Sequence, residues 1–87
     1  MKINEGFKLR SVAGENVVVP LGSAVSKLNG IIKLNDMGAF LWKCLQNDRT
    51  EEELISAVMQ EYEADRELVK KDVHSYLEKL RSIGCID

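Results

Sequence analysis

Four groups of residues in this 87-residue chain have side chains reactive enough to do more than pack: His74, the run Glu51-Glu52-Glu53, the cysteines Cys44 and Cys85, and Trp42. A histidine acts as a metal ligand or a general base only with partners at ligand or hydrogen-bond spacing. His74 instead falls on the polar side of a helical pattern near Lys70, Glu78 and Arg81, and reads as a solvated surface residue. Paired carboxylates can divide acid and base roles, but three consecutive residues point in different directions around a helix. In a first helical turn their negative charge serves the helix dipole. Cys44 and Cys85 match neither a CxxC redox pair nor zinc-ligand spacing, and read as reduced core thiols. The stretch "LNDMGAFLWKCL", residues 34–45, holds the only Trp, one of two Phe and one of two Cys. There Trp42 reads as a half-buried packing anchor rather than a ligand platform, the usual role of Trp in a small core. The chain also has no glycine-rich phosphate loop, nucleophile elbow or cysteine triplet. The residues therefore argue against catalysis by this chain alone, and call for no metal and no cofactor.

Length and charge narrow the remaining classes. A chain of 87 residues with 45% hydrophobic content has room for one core, so residues 1–87 are expected to form one domain without a separate catalytic lobe. The formal net charge of -2 gives no global attraction to phosphate, and no basic block compensates for it. Nucleic acid is therefore not an expected partner. The start "MKINEGFKLR" lacks the apolar run of a signal peptide, and no segment approaches the roughly 18 to 20 apolar residues of a membrane span. The expectation is a cytoplasmic protein with no membrane association.

The elements that must position any site fall in two blocks. Phe7, Leu9 and Ser11 alternate with Lys8, Arg10 and Val12; Gly14-Glu15 is expected to turn the chain; and Val17-Val18-Val19 forms a β-branched run closed by Pro20. After Gly22-Ser23, Val25 to Leu28 and Ile31 to Leu34 flank Asn29-Gly30, the strongest short hairpin signal. The second block is helical. Asn35 can cap a first helix with an apolar stripe of Met37, Phe40, Leu41, Cys44 and Leu45. Thr50 to Glu53 is a capping box for a second, whose buried face is Leu54, Ile55, Val58, Met59 and Tyr62. Asp65 can cap a third, with Val69, Val73, Tyr76, Leu77, Leu80 and Ile83 inside, and Gly84 then fits the left-handed position that lets Cys85 pack back on Leu80. The expected fold is α+β and winged-helix-like: an N-terminal antiparallel three-stranded β-meander followed by a three-helix bundle.

With these elements in order, "IIKLNDMGAFLWKCL", the Thr-Glu-Glu-Glu-Leu helix start and "EYEADRELVKKDVHSYLEKLRSIGCID" together resemble the PqqD-like family, peptide chaperones named for pyrroloquinoline quinone biosynthesis. The resemblance covers nearly the whole chain. Its carrying residues are Leu34, Asn35, Gly38, Ala39, Trp42, Tyr62, Asp72, Val73 and Leu77, while Met37 stands where such proteins more often have Thr. It implies a RiPP recognition element: a non-catalytic domain that captures the leader of a ribosomally made precursor and delivers it to a modifying enzyme, commonly a radical SAM enzyme. It further implies that the leader adds as a strand to the third strand and lies against the third helix. On this sequence the implied edge is Ile31, Ile32, Lys33 and Leu34, and the implied helix surface includes Val69, Val73 and Tyr76. An exposed terminal strand supports strand addition on physical grounds too, since its unpaired backbone groups can be completed by a peptide. The same edge could join a second copy, so the expected state is a monomer or weak homodimer.

Two finer expectations follow from alternation. Ile32 and Leu34 should face the core, turning Ile31 and Lys33 to the opposite face. If Asn29-Gly30 closes a hairpin between its two flanking segments, the backbone groups of Ile31 and Lys33 point inward and those of Ile32 point to the free edge.

The rival reading is a winged-helix DNA-binding protein, with Arg66, Lys70, Lys71, Lys79 and Arg81 of the third helix at phosphates; there, however, Asp65, Glu67, Asp72 and Glu78 intervene. A protein-interaction adaptor with no role in peptide maturation is the other alternative. Salt separates peptide from DNA. Affinity for a leader peptide should change less than about tenfold between about 50 and 200 mM salt, whereas a contact to many phosphates loses far more. Tight duplex binding with a steep salt slope would reverse the ranking.

Overall fold

A computed structural model describes residues 1–26 and 31–87 of the chain. Strands β1 (Phe7–Val12), β2 (Glu15–Pro20) and β3 (Ile32–Leu34) form an antiparallel sheet in the order β1-β2-β3. Helices α1 (Asp36–Cys44), α2 (Glu51–Glu61) and α3 (Arg66–Ser82) follow. The α+β meander-and-helices architecture expected from the sequence is the one observed.

The β1-β2 hairpin turns on Ala13-Gly14, one residue earlier than Gly14-Glu15. Both residues are left-handed, with φ of 52° and 80°. Positive φ at both central positions defines the turn whose twist matches the flanking strands, which frees Glu15 to open β2 opposite Val12. A second difference concerns Val25, which lies in a short 3-10 helix, Gly22–Ser26, and not in a strand. Asn29-Gly30 and Leu28 lie outside the described residues. The neighbour of β3 is therefore β2, with Val18 opposite Ile32, Val17 opposite Lys33 and Asn16 opposite Leu34.

Alternation sorts the sheet into two faces. Phe7, Val18 and Leu34 enter the main core with Leu9 and Ile32 packed against it, while Lys8, Arg10, Val12, Glu15, Val17, Val19 and Lys33 point the other way. Val17 is only 3% exposed although it faces away from the helices. Arg10 and Lys33 flank it in register, and such residues cover apolar surface with their aliphatic stems.

Each helix begins where a side chain takes up orphan backbone donors. Asn35 accepts from the Gly38 N–H at 2.8 Å, Thr50 and Glu53 close the reciprocal capping box, and Asp65 accepts from Glu67 and Leu68. The carboxyl of Glu53 is held below the usual carboxylate range, first by the Thr50 backbone N–H that it accepts. At the far end of α3, Gly84 is left-handed, its N–H reaches the Arg81 carbonyl, and the Cys85 N–H reaches the Leu80 carbonyl at 2.9 Å. This double bond pattern drops Cys85 into the core. Trp42 is more deeply placed than a half-buried anchor, at 2% exposure. Helix α1 has neighbours around much of its circumference: β3, α2, the α3 residue Tyr76 and the N-terminal segment.

That N-terminal segment carries no periodic signal, yet it is docked. The Ile3 N–H donates to the Leu45 carbonyl at 2.9 Å, the Asn4 N–H donates to the Cys85 carbonyl at 2.7 Å, and the Ile3 side chain joins the core. Ile3→Ala should therefore cost about 2 to 3 kcal/mol, the scale of a truncated buried aliphatic, read as a lower urea midpoint at unchanged slope. An unaltered midpoint would mean that the segment does not dock in solution.

Candidate functional site

The hairpin turn decides which backbone groups are free at the sheet edge. A two-residue loop makes Val12 and Glu15 a hydrogen-bonded pair, and such pairs alternate along the ladder. Arg10-Val17 is then also bonded, so Val17 spends its N–H and C=O on β1, while Asn16 and Val18 turn theirs toward β3. Their partners Leu34 and Ile32 point inward, leaving Lys33 with its N–H and C=O on the free edge. This inverts the expectation that Ile32 carries the outward groups. That expectation assumed a hairpin between Val25–Leu28 and β3, and the observed partner β2 has the opposite parity. Side-chain directions are as expected: Leu34 is buried, Ile32 is half-buried against the core, and Lys33 is exposed beside Glu15 at 3.2 Å. Ile31, just ahead of β3, is 59% exposed.

The edge leads into a junction built around Gly38. An added Cβ there would stand 3.2 Å from the Asn35 Oδ1, 3.3 Å from the Leu34 Cβ and 3.3 Å from the Tyr76 Cε1. The missing side chain lets β3, α1 and α3 meet. The Tyr76 hydroxyl donates to the Gly38 carbonyl at 2.8 Å, and burial pushes its phenol pKa up. A groove of about 410 Å³ opens beside this junction, with Asn35, Met37 and Gly38 on one side and Asp72, Tyr76 and Lys79 on the other.

The proposed helix contacts separate in the structure. Tyr76 reaches the junction, but Val69 and Val73 are 2% and 0% exposed and belong to the core. They offer a peptide no surface in this conformation. Asp72 and Tyr76 are the α3 residues that reach the groove at Gly38, whereas Leu68, 57% exposed, lines a separate groove with Glu51, Lys71 and His74.

The chemistry-bearing residues do not converge. His74 Nδ1 lies 3.5 Å from a Glu51 carboxylate oxygen on the exposed side of α3 that meets α2. Cys85 is fully buried with its thiol pushed up to about 11 by desolvation, so it is a poor nucleophile. Among the described residues no group of three or more His, Cys, Asp and Glu side chains is placed to hold a metal. No helix of the described residues is long and apolar enough to cross a membrane.

The family described as "Coenzyme PQQ synthesis protein D (PqqD)" matches residues 15–86. The chain belongs to the PqqD family. No curated protein matches it. Among solved structures, this PqqD family member is similar to "TbiB1 in Complex with the TbiA(beta) Leader Peptide", with a TM-score of 0.78 and 24% identity over 100% of this chain and 95% of that one. It is also similar to "Lasso peptide synthetase B1 complexed with the leader peptide", with a TM-score of 0.70 and 16% identity over 92% of this chain and 88% of that one. Both likenesses are of fold.

Gly38→Ala tests the junction. Replacing glycine inside a helix ordinarily gains about 1 kcal/mol, whereas overpacking costs about 1 to 3 kcal/mol. The three neighbours here are pinned: Asn35 by its cap, Leu34 by the sheet and Tyr76 by its hydroxyl. A net loss of about 1 kcal/mol in chemical denaturation is expected, and a stabilised Gly38→Ala would show that the junction is loose.

Proposed function

We propose that this PqqD family member is a non-catalytic peptide chaperone. It captures the leader of a ribosomally synthesised precursor as a strand added to β3, and presents it to a modifying enzyme. The observation that carries the reading is the sheet edge: among the described residues β3 ends the sheet, Lys33 directs both backbone groups outward, and the strand runs into the groove that Asp72 and Tyr76 line at Gly38. A peptide completing such an edge gains backbone hydrogen bonds, and alternate side chains find separate surfaces. The two structural neighbours were each solved with a leader peptide, which supports the same occupant here. The scattered His, Cys and acidic residues fit a domain that leaves chemistry to its partner. On the family resemblance that partner is a radical SAM maturase.

The DNA-reading alternative has less support. The exposed side of α3 mixes Glu67 and Glu78 with Lys70 and Lys71, and Glu51 of α2 sits against His74. Phosphates approaching that face would meet carboxylates at close range.

Backbone parity supplies the test. Proline at 33 removes an outward donor that only an added strand uses, whereas proline at 32 removes a donor that binds β2. Lys33→Pro should stay folded and lose leader affinity beyond Lys33→Ala by about 1 to 3 kcal/mol, the cost of an unpaired peptide carbonyl. Ile32→Pro should disrupt the sheet instead. The measurement is titration calorimetry with leader peptides encoded beside the gene, with amide shifts as the map. Equal affinity of the Ala and Pro variants at 33, or shifts confined to α2, would remove strand addition at this edge.

A further inference from the structure

The outer face of the sheet has a charge that the molecule as a whole lacks. The three strands contain the basic residues Lys8, Arg10 and Lys33 against one acid, Glu15, whereas residues 34–87 contain seven basic and twelve acidic. Lys8, Arg10 and Lys33 all point away from the helices, and Arg10, Val17 and Lys33 form one row across the strands. Among the described residues, Lys8 and Arg10 have no ion-pair partner, and Lys33 has only the exposed Glu15. An exposed pair of this kind contributes little, so the Lys33 ammonium remains open to a second carboxylate.

A strand added to β3 would extend the rows. Its residue paired with Lys33 through the outward backbone groups would place its side chain on the same outer face, next in line after Lys33. The residues before and after it would turn to the helix side, beside Ile32, Leu34 and the ring of Tyr76, the apolar part of a groove that Asp72 and Lys79 border. We propose that the segment recognised by this chain has an acidic residue bracketed by two apolar ones, with the acid paired to Lys33 on the outer face. This rests on the strand-addition reading and adds a register and a substrate class to it. The acid is selected locally, against a protein whose net charge of -2 disfavours anionic peptides overall.

Three end-capped synthetic heptapeptides test the register by NMR titration of labelled protein at low salt: Ser-Thr-Val-Glu-Val-Thr-Ser, the same peptide with central Lys, and Ser-Val-Glu-Thr-Glu-Val-Ser, whose acids share a face but lack the apolar bracket. The first should shift the Lys33 amide most and bind about fivefold tighter than the Lys peptide, the scale of one cross-strand charge pair made attractive rather than repulsive. Lys33→Glu should invert that preference, and Lys33→Gln should flatten it. Lys43→Glu, the same charge change on an exposed residue of α1, should leave it in place. Equal affinities for the Glu and Lys peptides, with shifts still centred on Lys33, would overturn the register and leave strand addition standing. Equal or tighter binding of the unbracketed peptide would overturn the apolar bracket. No shift at Lys33 from any peptide would overturn the register together with strand addition.

Discussion

Two residues with left-handed backbone, Ala13 and Gly14, determine which way every backbone group in the sheet points. Ladder parity cannot change along an unbulged strand pair, so a turn at one end of β2 decides what is available at the far edge of β3. Non-glycine residues adopt this conformation at a cost of roughly 1 kcal/mol, and Ala13 bears it because the turn delivers correct strand twist and the Val12-Glu15 closure. The consequence extends beyond geometry. Had the turn been one residue longer or shorter, β3 would have offered different backbone groups beside the same side chains, and a bound peptide would have met a different pattern of donors and pockets.

The second constraint is the close meeting of three elements at Gly38. Leu34 brings β3 in, Asn35 starts α1, and Tyr76 ties α3 to the first turn of α1 through its hydroxyl. Helix packing alone would not hold this flank, since the strongest helix pairing lies elsewhere, between α2 and α3. The junction therefore sets the distance between the edge of β3 and the side of α3, which on the proposed reading is the width available to an added strand. Tyr76 suits this position because it buries a ring and still has a polar tip to satisfy.

Much of this was legible in the residues. Asn35, Thr50 and Asp65 announce the helix starts with side-chain chemistry that acts within four residues, and Gly84 announces the end of α3 in the same local way. Non-local facts were not legible. Asn29-Gly30 suggests a hairpin, but which strand becomes the neighbour of β3 is settled by the sheet, and Val25 sits in a 3-10 helix. The docking of residues 1–4 leaves no period because it rests on a few backbone bonds and one side chain, Ile3. Val69 and Val73 form a hydrophobic stripe, and such a stripe identifies the core more readily than a binding flank: both are buried, and only packing shows that Leu68 is left at the surface.

The brevity of β3 has a kinetic consequence. Within Ile32–Leu34 only Lys33 turns its backbone outward, so the strand itself offers a guest one hydrogen-bonded pair, with a net yield of about 1 to 3 kcal/mol for two bonds. On the strand-addition reading, side-chain contacts would supply most of the remaining affinity, and if the complex were micromolar, ordinary association rates of about 10⁵ to 10⁷ M⁻¹s⁻¹ would give it a lifetime of roughly 0.1 to 10 seconds. On the proposed reading, an edge this short would let one carrier load, hand over and reload many times, its length acting as a clock on the traffic of peptide through the domain.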